Sequence, residues 1–201
     1  MGYQTVDLFT HAQLKTPGSF RVIHSADWHL GKTLGELSRE EEHQLFLDWL
    51  LEEIRTREVD ALIVAGDIFD SAYPAQTAQK QYYSFLSEVY HTTKCAVVVT
   101  AGNHDSPAQL EAPREVLETL RVSVVGAVPD RPEDMLIPLP NAEEPRLVVA
   151  AMPFLRDRDL RTGEAAQSMA DIKQALVEGI AARYRELAEA CTPHHSYLLG
   201  L

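Results

Sequence analysis

Two short runs, VDALIVA (59–65) and KCAVVVT (94–100), consist mostly of branched and small apolar residues. Neither shows the alternation of a strand with one wet face, so both need a sheet that is covered on its two sides, as parallel strands with crossover helices are. The neighbouring segments agree. FRVIHSA (20–26) reads as a third buried strand. SREEEHQLFLDWLLEEIRTR has Ser38 and Glu41 at capping-box spacing, with Phe46, Leu50 and Ile54 along one face beside the Leu45/Trp49 pair. After Pro74, AQTAQKQYYSFLSEVY sets Tyr82, Leu86 and Val89 or Tyr90 on a second helical face. Strand, helix, strand, helix, strand is the order of an α/β fold.

Further along, the pattern changes. PREVLETL predicts a short helix opened by Pro113, and VSVVGA, MLIPL and RLVVAAMPF predict strands in succession between proline-rich turns. Ser168 and Asp171 then mark the start of a long helix whose buried stripe is expected to be Ile172, Leu176, Ile180, Tyr184 and Leu187. Residues 1–19 show no sustained periodicity and are expected to form a poorly ordered extension, with 20–201 as one domain. A chain of 201 residues with 45% hydrophobic content can bury a sizeable core. Nothing approaches the roughly 18 consecutive apolar residues of a membrane span, and no basic flank leads into an apolar block at the start, so the chain reads as cytoplasmic. Cys95 and Cys191 cannot make a disulfide framework and read as two small core residues.

Each predicted strand of the first half ends in a polar cluster. They are Asp27 and His29 in SADWHLG, Asp67 and Asp70 in AGDIFDS, and Asn103, His104 and Asp105 in AGNHDS. Carboxyl ends of neighbouring parallel strands converge on one edge, so these clusters are expected to share a crevice. Carboxylates, imidazole and a carboxamide oxygen suit Mn²⁺, Mg²⁺, Fe²⁺ or Zn²⁺, and the lack of thiolate argues against a purely structural zinc site. Two such cations repel, and Asp67, at the tight end of the middle strand, is best placed to lie between them. His104 suits proton or hydrogen-bond donation to a phosphate or leaving oxygen, with Asp105 expected to orient its ring. The net charge of -12 excludes coating nucleic acid by charge alone, yet it is compatible with an enzyme whose metal ions face a phosphodiester.

Asp-x-His, Gly-Asp-x-x-Asp and Gly-Asn-His-Asp, in that order and each after a strand, resemble the calcineurin-like metallophosphoesterase superfamily. The longer stretches HSADWHLGKTLGELSREEEHQLFLDWLL, VDALIVAGDIFDSAYP, VVVTAGNHDS and MPFLRDRDL are similar to its SbcD type of DNA nuclease, over roughly residues 20–160. The resemblance implies a sandwich of two mixed β-sheets flanked by helices, incomplete at the C-terminus. It implies Asp27, His29 and Asp67 on one metal, Asp67 and Asn103 on the other, His104 as the transition-state histidine, and Asp70 beside the metals or facing substrate. The implied activity is hydrolysis of DNA phosphodiesters with two ions, Mn²⁺ the usual one. The implied partners are DNA, an SbcC-type coiled-coil ATPase, and a second copy of the chain within a heterotetramer.

Family members add a later histidine after another strand and then Gly-His-x-His. Here His195, in PHHSYLLGL, is the candidate for the first, and Gly-His-x-His is absent from the sequence. The expectation is therefore a truncated ligand set, with weak metal binding and low nuclease activity. Two other readings stand: a metallophosphoesterase for a small phosphodiester or phosphoprotein, and an inactive fragment that binds a partner. Among the remaining polar residues, His24 is expected as a core histidine sharing a face with Phe20 and Val22, and His43 as an exposed helix histidine. Trp28 is expected to pack beneath the site, with stacking on an unpaired base as the lesser reading, and Arg156, Arg158 and Arg161 are expected in a solvated, salt-bridged loop, with contact to DNA phosphates as the second reading.

Overall fold

The computed structural model describes residues 15–160, 169–191 and 198–200. Strand β1 (Val22–Ser25) leads through a small hairpin, β2 (Thr33–Leu34) and β3 (Leu37–Ser38), into helix α1 (Glu40–Thr56). Strand β4 (Ala61–Ala65), helix α2 (Gln76–Thr92) and strand β5 (Ala96–Thr100) follow. Two short helices, α3 (Pro107–Glu111) and α4 (Arg114–Thr119), connect β5 to β6 (Val122–Val125). These strands form one parallel sheet in the order β1-β4-β5-β6. A 3-10 turn (Pro132–Met135) then opens β7 (Leu136–Leu139), which pairs antiparallel with β8 (Leu147–Ala150). Helices α5 (Asp157–Leu160) and α6 (Met169–Cys191) precede β9 (Leu198–Gly200), which returns to lie parallel to β8. The architecture is α/β, with a parallel sheet flanked by helices on one face and a smaller mixed sheet on the other.

The unbroken apolar runs have a direct cause in this layering. Leu62 and Val64 of β4, with Val97 and Val99 of β5, pack on Leu47, Leu50 and Ile54 of α1 and on Tyr82, Phe85, Leu86 and Val89 of α2. Ile63, Val98 and Val125 point the other way, against Leu139 and Val149 of the second sheet and Leu187 and Cys191 of α6. Alternate side chains thus enter two different cores, and each fully buried one contributes about 1.5–3 kcal/mol. Both cysteines are free and buried, as small core residues. Burial pushes the Cys95 thiol up to about 12.

Four local expectations are corrected. His24 is exposed, because β1 is the sheet edge and pairs only with β4. On helix α1 Leu50 and Ile54 are buried and Phe46 packs on the core as expected, but His43 and Leu47 complete that face and the Leu45/Trp49 pair does not, staying 69% and 51% exposed. Its N-cap is Arg39 rather than Ser38, whose hydroxyl accepts from the Glu40 amide at 3.2 Å, and Glu40, Glu41 and Glu42 face the positive end of the helix dipole. On α6, Leu187 is buried, but Ile180 and Tyr184 are 41% and 49% exposed. Ser168 lies outside the described residues. Of the leading extension, residues 1–14 lie outside them too, and Lys15 pairs with Asp60 at 2.6 Å. Among the described residues no helix is long and apolar enough to cross a membrane.

Candidate metal centre

Because β1, β4 and β5 are adjacent and parallel, the chain leaves all three at the same edge. Backbone bonds then fix the departing loops to one another: Asp27 N–H to the Gly66 carbonyl at 3.2 Å, His29 N–H to the Asp67 carbonyl at 2.9 Å, and Gly66 N–H to the Thr100 carbonyl at 3.1 Å. A Cβ on Gly102 would stand 2.0 Å from Asp67 Oδ1 and 2.3 Å from its amide nitrogen. Only glycine admits that approach. Asp27, His29 and Asp67 all adopt left-handed backbone, with φ of 55°, 47° and 48°. Non-glycine residues in that region are uncommon and gather at sites where geometry is over-determined.

The side chains converge accordingly. His29 Nε2 lies 3.6 Å from Asp67 Oδ2 and 3.9 Å from Asp27 Oδ1, and one donor atom from each of the three falls within 4.8 Å of the others. These separations are too long for hydrogen bonds. They suit donors arranged about a divalent cation, whose bonds to nitrogen and oxygen run about 2.0–2.2 Å. Asp67 is 8% exposed, and its Oδ1 accepts the His104 amide at 3.0 Å, which leaves Oδ2 facing His29. Asn103 lines the same cleft as Asp27 and Asp67.

His104 and Asp70 stand on the far side of His29. Asp70 Oδ1 is 3.4 Å from His29 Nδ1, without hydrogen-bond geometry, and takes the Lys32 ammonium at 2.8 Å. His104 Nδ1 meets the Asp70 carbonyl at 2.8 Å, and its ring lies edge-on to His29 with centroids 5.0 Å apart. A carbonyl only accepts, so Nδ1 carries the proton and Nε2 is the nitrogen left for substrate.

Asp105 does not orient His104. Its carboxylate is 1% exposed and accepts three backbone amides, from Ile68 at 3.1 Å, Phe69 at 3.0 Å and Gly102 at 2.8 Å. It is the clasp between the loops after β4 and β5, and the ring of His104 is held by the Asp70 backbone instead. Arg156 also differs from expectation: it donates to the Asp105 carbonyl at 2.8 Å from the start of α5. The side chain of Arg158, and Arg161, lie outside the described residues.

His43 is buried, at 7% exposure, rather than exposed, and its Nδ1 has no partner. Burial first, and then Arg39, hold its pKa below the ordinary value, against Glu42 and Asp70. Trp28 packs beneath the site as expected, edge-on to Phe46 and Phe85, with Nε1 donating to Ser25 Oγ at 2.8 Å. His195 lies outside the described residues; in sequence it precedes β9, whereas the other candidate donors follow strands. Sequence reasoning missed Lys32 and, although MPFLRDRDL helped to carry the resemblance, gave its MPF segment no place at the site. Phe154 N–H bonds the Ala101 carbonyl at 2.9 Å and brings that segment to the cleft, a placement signalled only by its position directly after a buried strand.

Among curated proteins, the SbcD subunit of nuclease SbcCD from Escherichia coli (strain K12) is 41% identical over 172 residues, covering 85% of this chain and 42% of that protein. Its counterpart in Rhodobacter capsulatus is 45% identical over 147 residues, covering 70% and 36%. The one from Bacillus subtilis (strain 168) is 32% identical over 191 residues, covering 90% and 47%. The chain thus spans less than half the length of these relatives. The calcineurin-like phosphoesterase profile matches residues 20–152, a span that holds all three strand-end clusters. With that match, and with those clusters meeting at one sheet edge, the chain belongs to the calcineurin-like phosphoesterase family.

Proposed function

We propose that this chain is the nuclease-bearing part of an SbcD-type protein, hydrolysing DNA phosphodiester bonds with divalent metal and working with an SbcC-type coiled-coil ATPase. The observation that carries the reading is the convergence of Asp27, His29 and Asp67 within 4.8 Å of one another. A metallophosphoesterase domain uses divalent metal, and the donor set, hard oxygens with imidazole and no thiolate, fits Mn²⁺ or its neighbours. Asp27, His29 and Asp67 would hold one cation, and Asp67 with Asn103 a second. Bound cations would supply Lewis acidity and the positive charge that this acidic chain needs to face a phosphodiester.

The protein's own part is positioning and proton transfer. With Nδ1 committed to the Asp70 carbonyl, a protonated His104 presents Nε2–H outward, where it can donate to a phosphate oxygen or to the leaving alkoxide. The Asp105 clasp keeps the loops after β4 and β5 in register, so that the donors do not drift apart. The three bacterial relatives are named nuclease subunits, which supports DNA over a small phosphodiester or phosphoprotein.

Calorimetric titration with Mn²⁺, alongside hydrolysis of linear DNA, bis-p-nitrophenyl phosphate and a phosphopeptide, tests the reading. Saturable Mn²⁺ binding and cleavage of linear DNA are expected. Asp27→Asn keeps the left-handed tolerance and removes one negative charge, and it should lower Mn²⁺ affinity about 10-fold or more. Affinity unchanged in both Asp27→Asn and Asp67→Asn would rule out the metal centre, and turnover confined to phosphopeptide would rule out the nuclease.

A further inference from the structure

The cleft in front of the acids has two unlike walls. One is polar, made by Asp27, Asp67 and Asn103; the other is Met152, Phe154, Ile180 and Tyr184, and both line the same space of about 410 Å³. Phe154 and Tyr184 are 48% and 49% exposed. Large rings left half in water beside carboxylates are unfavourable unless something covers them. Their placement is fixed from both ends. The Phe154 amide is bonded to Ala101, two residues before Asn103. Leu187 and Cys191 anchor α6 in the second core, which leaves Ile180 and Tyr184, four residues apart, as a stripe facing the cleft.

We propose that this apolar wall is a stacking subsite for an unpaired nucleobase adjoining the phosphate held at Asp27, Asp67 and Asn103. The inference rests on the nuclease reading and narrows its substrate. An occupant must offer anionic oxygen to the metal-holding wall and a flat apolar face to the other, with a short link between. A nucleotide has that form, its phosphate and base joined through one sugar. Bases inside a duplex already have both faces stacked, so the subsite takes a base from a single strand or an opened end. Every base offers a flat face to Phe154 and Tyr184, so stacking of this kind is tolerant of base identity, and the Tyr184 hydroxyl is the one side-chain donor among Met152, Phe154, Ile180 and Tyr184.

The test is calorimetry of the full chain in Mn²⁺, comparing 2′-deoxyadenosine 5′-phosphate with 2-deoxyribose 5-phosphate, which has the same phosphate and no base. The nucleotide is expected to bind about 10-fold more tightly. Phe154→Ala and Tyr184→Ala should each shrink that ratio while leaving the sugar phosphate's affinity unchanged, and Tyr184→Phe should preserve it. Because both rings are half exposed, the alanine variants are expected to melt close to the parent. Equal affinities in the parent, a ratio that survives both alanine variants, or a loss shared by the two ligands would each overturn the subsite while leaving the metal centre in place. If neither ligand binds in Mn²⁺ the subsite falls, and hydrolysis of linear DNA by the same preparation decides separately whether the nuclease reading falls with it.

Discussion

Strands β4 and β5 bury essentially every residue, whereas in the second sheet β7 is half-buried along most of its length and β8 approaches the same enclosure. The difference follows from how each sheet is closed. In the parallel sheet each next strand arrives after a helical crossover that immediately covers it, so its rim is assembled from consecutive pieces of chain. The second sheet gains β9 only after the chain has passed through α5 and α6. One sheet carries the donors on loops bonded backbone to backbone; the other supplies a wall through a helix anchored near one end. The first is built for fixed geometry and the second for contact area.

The sharpest way to break that contrast is with added methyl groups. Gly102→Ala would drive a Cβ into Asp67 backbone and carboxylate, and the loops cannot separate without losing the hydrogen bonds that hold them. A loss of about 3–5 kcal/mol is expected in chemical denaturation. Gly179→Ala on α6 also meets backbone, the Leu160 carbonyl at 2.7 Å, but α5 is a single turn that can shift, and alanine favours the helix by about 1 kcal/mol. Its loss should be smaller, and equal losses would show the second half to be as rigid as the first.

Removing the clasp should have the next largest effect. Asp105→Ala strips three buried amides of their acceptor, for an expected loss of about 3 kcal/mol by the same measurement. A loss under about 1 kcal/mol would mean that the two loops hold each other without it.

The smallest expected effect is one of pH. His43, on the buried face of α1, has its pKa lowered first by burial and then by Arg39, with Glu42 and Asp70 opposing the shift, while His29 also lowers it. Its folded pKa is lowered, so the unfolded chain binds the proton more readily. Stability should be intact above the ordinary value of 6.5 and decline as pH falls from there through the lowered folded value. His43→Leu should flatten that part of the stability curve; an unchanged curve would assign the slope to other groups.

Much of the first half was legible because its signals are local. An uninterrupted apolar run demands two covering layers, and an acid directly after such a run has few structural uses, so Asp27, Asp67 and Asn103 could be assigned to one rim from sequence alone. What failed depended on which element covers which face. His24 alternates correctly for a core position, but β1 has no strand on its outer side. Phe46 and His43 sit one turn apart on α1, and the helix orientation that buries His43 and leaves Trp49 half exposed is decided by packing against α2. Asp105 looked like a partner for its neighbour His104. Two of its three partners, Ile68 and Phe69, lie more than thirty residues away, and all three offer backbone groups that leave no trace in side-chain pattern. On α6 the helix was legible but its buried stripe was not: Leu187 enters the core, while Ile180 and Tyr184 line the cleft.

The left-handed backbone at Asp27, His29 and Asp67 has an evolutionary corollary. Each such residue costs about 1 kcal/mol that glycine would not incur. Selection of this chain for heat resistance alone would therefore drift toward glycine at 27 and 29, yielding sturdier molecules with an emptied rim. An acid and an imidazole held in that backbone therefore trade some of the fold's durability for the donors they place at the rim.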